Sequence, residues 1–252
     1  GLTVNSSPLL AGVHESLGDL CVIGGSAGES NRYVSTYQYL NGQVKSDAVS
    51  AVLMRGAFRF DVEVSHGCQP VGREMVVTRS SGSMLKEVDG RPPTEVFADW
   101  FEGDPGNFGL EQVINLIVQR EGEEVIRTVL GFDKERGAFF LPDELPPGTV
   151  IIRARTQLDA IARDAVAAMG RLLKRNQGQP PLAMLQFDCA GRGRFRFGDN
   201  VSSEVIFPVQ KLLPQDVPWL GFHTYGEIAP VKGVTRFHNC SVAYCALYET
   251  DD

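Results

Sequence analysis

The stretch Trp219–Pro230, WLGFHTYGEIAP, has the pattern of an apolar strand that runs into a glycine-flanked loop. Its apolar start breaks at Gly221, and a polar and aromatic segment then leads to Gly226. Glycines on both sides let the backbone approach another group closely. Because binding residues are often on loops, we predict ligand contacts from this segment. The candidates are Phe222, His223, Thr224, Tyr225, Gly226 and Glu227.

A second glycine segment, VIGGSAGE at residues 22–29, resembles the first in its layout. Asn41 follows Glu29 by 12 positions, and Asn239 follows Glu227 by the same spacing. Serine pairs that start a helical pattern precede both segments. We interpret these landmarks as a diverged internal duplication, with chance similarity of two glycine loops as the alternative. The matching candidates are Gly24, Gly25, Ser26, Gly28, Glu29 and Asn239.

Several motifs together resemble the FIST sensory domain, which occurs in bacterial signal-transduction proteins. GFxxYGEIxP followed by FHN, at residues 221–239, is similar to the signature of the C-terminal part of that family. VIGGSAG, QYLNG and SHGCxPVG are similar to its N-terminal part, which normally has more sequence before the position of Gly1. The resemblance implies residues 1–90 as the C-terminal part of a FIST N-type domain and residues 91–252 as a FIST C-type domain. It also implies a cytoplasmic sensor of small ligands, with amino acids among them.

The composition is that of an ordinary globular protein. Hydrophobic residues make up 43% and charged residues 22% of the 252 positions, and the net charge is −7. That charge argues against nonspecific binding to nucleic acid or an anionic membrane. No apolar run approaches the ~20 residues that a membrane span needs. We see no signal peptide, and the five cysteines, without a Cys-x-x-Cys pair, fit reduced thiols of a cytoplasmic protein.

Apolar spacing and turn residues predict an α+β fold with mixed β-sheets, packed helices and two diverged repeat halves. Helices are predicted at 7–17, 94–101, 110–120, 156–175 and 202–213, with a strand as the alternative for 110–120 because of its β-branched residues. Strands are predicted at 20–23, 33–40, 44–54, 58–65, 71–79, 84–88, 125–131, 138–141, 149–154, 182–188, 194–197, 217–221 and 241–248. Asn41-Gly42 predicts a hairpin turn, and apolar residues on both faces of 48–54 predict a central strand.

Other chemistries fit the sequence less well. Ser26 lies in a Gly-x-Ser-x-Gly pattern, which leaves a hydrolase as an alternative, but no helix is predicted after it. Neither a phosphate loop nor a dinucleotide fingerprint is matched. The four histidines lack metal-ligand spacing, so we predict no metal and no cofactor, although a haem-binding gas sensor remains an alternative. His66 either lines the ligand pocket or caps a strand end.

Arg192 lies in a Gly-Arg-Gly loop after the strand at 182–188, where a guanidinium suits an anionic ligand. The helix between this strand and the one at 217–221 predicts a parallel pair whose ends share one edge. Arg192 would then bind the carboxylate of an amino acid and Glu227 its ammonium, beside Phe222 and Tyr225. We expect a noncatalytic sensor with a signalling partner such as a kinase or chemoreceptor, and an exposed strand edge that would permit a homodimer. A ligand-free protein-interaction module is the third alternative.

Overall fold

The computed structural model of the chain describes residues 6–18, 20–29, 34–100, 114–120 and 122–250. It divides into two compact units. Unit 1 contains the described parts of Leu10–Gly67 and Gln157–Asp252, and unit 2 contains those of Asn5–Leu9 and Cys68–Thr156. Helices and mixed sheets make the fold α+β, as the sequence predicts. No helix among the described residues has the length and apolarity needed to cross a membrane.

The elements of unit 1 surround one mixed sheet. Its helices are α1 (Ser6–Leu17, whose first turn belongs to unit 2), α3 (Leu158–Arg175), α4 (Arg194–Phe197) and α5 (Phe207–Gln210), with a π-helical turn at Ser202–Ile206. Its strands are β1 (Gly24–Ala27), β2 (Tyr37–Leu40), β3 (Gln43–Ser46), β4 (Phe58–Ser65), β12 (Ala183–Cys189), β13 (Trp219–Val231), β14 (Val234–His238) and β15 (Val242–Glu249). The sheet order is β1-β13-β12-β15-β4, β14 also pairs with β13, and β2 and β3 form a separate hairpin.

The 18-residue helix α3 supplies one half of the core of unit 1. Its apolar side chains recur at helical spacing, and six are buried: Ala160, Ile161, Ala165, Ala168, Met169 and Leu172. They join one cluster with Met184, Val242, Tyr244, Ala246 and Tyr248 of the sheet. The helix stops at Asn176, where Gly178 has a φ of +74° and donates its N–H to the Leu173 carbonyl oxygen.

Unit 2 is a seven-stranded sheet with its own core. Its remaining elements are β5 (Cys68–Ser81), β6 (Met84–Val88), α2 (Pro93–Val96), a 3₁₀ turn at Ala98–Trp100, β7 (Asn115–Arg120), β8 (Glu123–Thr128), β9 (Gly131–Asp133), β10 (Ala138–Phe140) and β11 (Val150–Thr156). The strand order is β8-β7-β11-β5-β6-β10-β9. Buried side chains such as Val77, Leu116, Phe139 and Ile151 form the core.

Several local predictions are corrected by the structure. The predicted binding loop at 222–227 lies inside the 13-residue strand β13, and the glycines at 24–25 belong to strand β1 rather than to a loop after a strand at 20–23. The described part of 110–120 forms strand β7, consistent with its β-branched residues, and 194–197 is a short helix instead of a strand. Residues 110–113 of the helix predicted at 110–120 lie outside the described residues.

The predicted central strand at 48–54 and the duplication both depend on strand pairing. After the Asn41-Gly42 turn, which is confirmed, β3 ends at Ser46, and residues 48–54 are largely exposed without strand pairing. Among the described residues of the first half, β2 and β3 pair only with each other, whereas in the second half β13, β14 and β15 join the main sheet. The two halves therefore differ in strand arrangement, and the duplication is not confirmed.

Candidate functional site

The parallel strands β12 and β13 bring the candidate residues to one end of the sheet. Asp188 pairs with His223 and Cys189 with Thr224, so the carboxyl end of β12 lies beside the middle of β13. The segment that contains α4 and α5 connects the two strands, as the helical crossover predicted. We call this region, defined by residues 188–193 and 223–227 together with Glu29 and Tyr244, the strand-end site.

Arg192 is fully buried at the strand-end site. Its Nη1 donates to Asp188 Oδ1 at 3.0 Å, and its Nη2 donates to the Ile161 carbonyl oxygen at 3.3 Å. Burial by itself lowers the pKa of Arg192, but the charge of Asp188 outweighs it and the pKa is raised overall. The predicted contact between this guanidinium and a ligand carboxylate therefore requires an opening of the site.

Glu227 is also fully buried, and its partners are hydroxyl and amide groups. Thr224 Oγ1 donates to Glu227 Oε1, while the Ser241 hydroxyl and amide donate to Oε2 at 2.6 and 3.3 Å. Desolvation by burial raises the pKa of Glu227 from 4.5 to about 8, against the opposing effect of these hydrogen bonds. The raised pKa shows that burial disfavours the charged form of Glu227, which makes it a weaker partner for a ligand ammonium than an exposed carboxylate.

The half-buried part of the strand-end site contains Tyr225 and Glu29. The Tyr225 hydroxyl donates to the Glu29 carbonyl oxygen at 2.9 Å and lies 3.3 Å from Glu29 Oε1. The Phe195 ring, from α4, lies 6.5 Å from the Tyr225 ring between centroids. A Cβ at Gly193 would lie 3.4 Å from the His223 ring, so these side chains share one neighbourhood. The structure thus joins Glu29 to His223 and Tyr225, which the sequence placed in a different segment.

The candidate glycines have packing explanations. A Cβ at Gly25 would lie 2.3 Å from the Thr224 methyl group, and one at Gly226 would lie 2.1 Å from the Phe237 ring. A Cβ at Gly28 would contact the Tyr225 ring at 3.4 Å, whereas Gly24 has nothing within 4 Å. Close packing between β1, β13 and β14 therefore accounts for Gly25 and Gly226 without a ligand.

Ser26, Phe222, His66 and Asn239 occupy different surroundings. Ser26 lies within β1, not at the turn from a strand to a helix that a nucleophile elbow requires. Phe222 is 49% exposed and contacts Phe187 edge-on. The crevice predicted for Phe222 and Tyr225 stays a prediction. His66 is half-buried in the β4–β5 connection, and Asn239 is buried after β14.

Buried polar atoms without hydrogen-bond partners mark the strand-end site. Among the described residues they include Asp188 Oδ2, Arg192 Nε, His223 Nδ1 and the Tyr244 hydroxyl. Such atoms are uncommon in folded proteins unless a water, an ion or a ligand forms the missing hydrogen bond. The sequence reasoning missed Asp188, Ser241 and Tyr244. Asp188 could have been found, because it ends a strand that was predicted to run parallel to the strand before His223.

The described residues offer little support for a metal or haem. No group of three or more His, Cys, Asp or Glu side chains among them could hold a metal ion. His238 is buried, and its Nε2 lies 3.0 Å from the Ala229 carbonyl oxygen. The structure has a cavity in unit 2, with Arg73 and Arg153 in its lining, and another in unit 1, between Arg59 and residues 175–179. Neither lining contains a histidine. Neither of these two linings therefore supplies an axial histidine ligand for haem.

Related proteins come from mycobacteria and an archaeon. An uncharacterized protein of Mycobacterium tuberculosis is 29% identical over 243 residues, covering 92% of this chain and 62% of that protein. One of Mycobacterium bovis is 29% identical over 259 residues, with 99% and 66% covered, and one of Methanocaldococcus jannaschii is 23% identical over 245 residues, with 86% and 46% covered. The chain thus spans less than two thirds of the length of these relatives.

Two family profiles match consecutive parts of the chain. The FIST N domain matches residues 1–91, and the FIST C domain matches residues 93–230, which is more than half of the chain. The motifs at residues 22–28 and 221–230 lie in the two matched segments. The chain therefore belongs to the FIST family of sensory domains in signal transduction.

Proposed function

We propose that the chain is a sensor domain that binds an amino acid or a similar small molecule at the strand-end site. The observation that carries this proposal is the group of buried, unpaired polar atoms on Asp188, Arg192, His223 and Tyr244. A zwitterionic ligand has the donors and acceptors that these atoms lack. An ammonium donates to Asp188 Oδ2, and a carboxylate accepts from Arg192 Nε. This assignment gives Asp188 the ammonium-binding role first predicted for Glu227.

Ligand access and sensing are coupled in this proposal. Glu29, His223 and Tyr225 are half-buried and meet the ligand first, while Arg192 lies behind them. Binding therefore favours a conformation in which the connection from Cys189 to Gly193 has moved away from His223. A ligand that binds one of two conformations more tightly shifts the population toward it, which is the physical basis of a sensor output.

The partner and the cellular location follow from the same proposal. We infer a cytoplasmic domain that passes its state to a signalling protein such as a kinase or chemoreceptor. We place the functional boundary near residues 90 and 91, close to where the FIST N match ends at residue 91 and the FIST C match begins at residue 93. That boundary lies within unit 2, so the N-type and C-type parts share one core there. A change in either part can therefore reach the other through common packing.

A homodimer is the assembly we propose for unit 1. Strand β4 ends the sheet, and Phe60 beside its outer edge is 47% exposed. Antiparallel pairing of two copies about Asp61 places Arg59 opposite Glu63, which is electrostatically favourable. Arg175 already neutralises Asp61 within each copy. Light scattering after size exclusion should show a dimer that Val62→Pro disrupts, and a monomer at high concentration contradicts it.

Thermal-shift screening with the twenty amino acids tests the ligand proposal. A ligand at about 100 times its dissociation constant stabilises the fold by ~2.7 kcal/mol. We expect at least one amino acid to raise the melting temperature, and His223→Asn and Glu29→Gln to reduce that shift. Glu204→Gln, an exposed carboxylate of unit 1, is the matched control and should leave it unchanged. No shift with any amino acid contradicts the proposal and favours a ligand-free interaction module.

The hydrolase alternative has a separate test. Ser26 lies within β1, where the sharp turn that exposes a nucleophilic serine is not formed. We therefore expect no turnover of a panel of small esters. Turnover that Ser26→Ala removes would establish the alternative instead.

A further inference from the structure

Unit 2 contains a cavity of about 170 Å³. None of its lining residues belongs to the strand-end site. Its lining consists of Arg73, Met75, Asp89, Arg91, Val96 and Arg153. The lining residues carry a charge of +2, from three guanidiniums and one carboxylate, and Asp99 and Glu95 beside the lining offset it through ion pairs with Arg153 and Arg91. An excess of positive charge, the electrostatic feature expected of an anion site, therefore develops when these two exposed acids move away.

A bulge in strand β5 lies opposite Arg153, at the position of Arg73. Ile152 pairs with Glu74 but the next residue, Arg153, pairs with Val71, so Gly72 and Arg73 form a bulge. Gly72 has a φ of +84°, and a Cβ there would lie 3.4 Å from Arg153 Nη2. Bulges redirect side chains and are frequent beside functional sites.

Carboxylates hold the three arginines in place at the cavity. Arg73 Nη2 lies 2.7 Å from Asp89 Oδ2, and the other oxygen of Asp89 accepts from the Val76 amide at 2.8 Å. Arg153 Nη1 donates to both oxygens of Asp99 at 2.7 and 2.6 Å, and Asp99 is 63% exposed. Arg91 has a longer contact, 3.5 Å from its Nε to Glu95 Oε2. Asp99 and Glu95 are thus exposed acids that an incoming anion can displace.

We propose that this cavity binds a small doubly charged oxyanion through Arg73, Arg91 and Arg153. Two guanidinium charges in excess of Asp89 match a dianion, and planar guanidiniums bind phosphate or carboxylate oxygens through paired hydrogen bonds. The volume is below the ~300 Å³ at which pockets for drug-sized ligands begin, so the ligand is small. Met75 and Val96 give the cavity an apolar wall, which accommodates a short carbon chain. This site is independent of the strand-end site and gives the sensor domain a second input.

Isothermal titration calorimetry on the full chain tests the proposal with two probes, inorganic phosphate and succinate, at matched ionic strength. We expect saturable binding of at least one probe with a stoichiometry of one. Arg73→Gln and Arg91→Gln should each weaken it about tenfold, because a hydrogen bond to a charged group is lost. Arg153 is less exposed than the other two arginines, and Arg153→Lys keeps its positive charge. This variant should still weaken binding, because an ammonium cannot form the two parallel hydrogen bonds that a guanidinium forms with an oxyanion.

Arg79→Gln is the matched control, because Arg79 lies on the same strand and is an exposed arginine paired with Glu87 at 2.6 Å. It removes the same charge from β5 outside the cavity and should leave the affinity unchanged. Equal weakening by Arg79→Gln and Arg73→Gln would show nonspecific attraction and overturn the site. Absence of saturable binding by both probes would also overturn it. The probe that binds more tightly shows whether the natural ligand carries a phosphate group or two carboxylates.

Discussion

Each unit buries an arginine–aspartate ion pair, and the two pairs differ in how completely the aspartate is bonded. In unit 2, Asp143 Oδ2 accepts from Arg127 Nη2 at 2.6 Å, while Oδ1 accepts from the Ser7 hydroxyl and the Glu144 amide. In unit 1, Asp188 Oδ1 accepts from Arg192 at 3.0 Å, but its Oδ2 has no partner among the described residues. Burial is similar, since all four side chains are at most 4% exposed.

The comparison separates a structural ion pair from a candidate binding pair. Burying a charge lowers the stability of the fold unless the charged group is hydrogen-bonded. Asp143 has hydrogen bonds to both of its oxygens within its own unit. Asp188 lacks a donor at one oxygen and lies at the end of two parallel strands, where ligands bind in many α/β sheets. We infer that unit 2 uses its pair for stability and unit 1 keeps hydrogen-bonding capacity for a ligand.

The largest expected effect is that of Asp143→Asn. The amide has one acceptor oxygen for donors from Arg127, Ser7 and Glu144, so at least one donor loses its partner and Arg127 loses its counterion. Breaking a buried ion pair costs about 3–5 kcal/mol. Urea denaturation followed by a probe in unit 2 should show this loss. A loss below about 1 kcal/mol would remove the structural role assigned to the pair.

The pH dependence of unit 1 has the next largest expected effect. The pKa of Glu227 is raised from 4.5 to about 8, so the folded state binds this proton more tightly than the unfolded state. Stability from this group is fully present below pH 4.5 and is lost as the pH rises toward 8, by about 1.4 kcal/mol per pH unit between those values.

Urea denaturation between pH 5.5 and 7.5 measures this slope. Glu227→Gln should flatten it, whereas Glu95→Gln, an exposed carboxylate in unit 2, should leave it in place. The opposite result would be a free energy of unfolding that increases from pH 5.5 to 7.5 and no longer does so in Glu227→Gln. That result would show that Glu227 is buried as a carboxylate.

The same isosteric change at Asp188 should cost less than at Asp143. In Asp188→Asn the new side chain keeps the acceptor oxygen for Arg192, and its amide nitrogen takes the place of an oxygen that has no donor. We expect a loss of about 1–2 kcal/mol, from the weaker hydrogen bond to a charged group. Amino-acid binding should fall more strongly than stability. Equal costs for Asp188→Asn and Asp143→Asn would end the distinction between the two pairs.

Tyr225→Phe should have the smallest effect on stability. It removes one hydrogen bond, from the Tyr225 hydroxyl to the Glu29 carbonyl oxygen, and retains the ring. A loss of about 0.5–1.5 kcal/mol is expected in thermal or urea unfolding. Tyr39→Phe, at an exposed tyrosine of the β2–β3 hairpin, is the control and should cost nothing measurable. An equal loss in both variants would mean that the contact with Glu29 contributes no stability.

The sequence predicted those parts of the fold that depend on local periodicity. The apolar spacing in 158–175 predicts α3, and the apolar runs at 58–65 and 182–188 predict β4 and β12. Parallel pairing of β12 and β13 followed from the helical segment between them. The strand at 48–54 was not found, because its pattern has no pairing partner among the described residues and pairing is a non-local property.

The candidate site was predictable only in part for a similar reason. His223, Tyr225 and Glu29 were identified from glycine motifs, but their contacts depend on the pairing of β1 with β13 across about 200 residues. Gly25 and Gly226 were taken as ligand contacts because the sequence does not show the Thr224 methyl group and the Phe237 ring that fill the space beside them. Asp188 was overlooked because an acidic residue after an apolar strand is usually exposed, and only the structure buries it beside Arg192.

Hydrogen–deuterium exchange with the amino acid found in the screen tests the central claim most directly. With saturating ligand, we predict altered exchange in peptides that cover residues 188–195 and 223–229, and unchanged exchange in peptides that cover 122–143 around the structural pair. Asp188→Asn should remove the effect while leaving the exchange of unit 2 as it is. Ligand-dependent protection confined to 68–156, or binding without any change at 188–195 and 223–229, would contradict the assignment of the strand-end site.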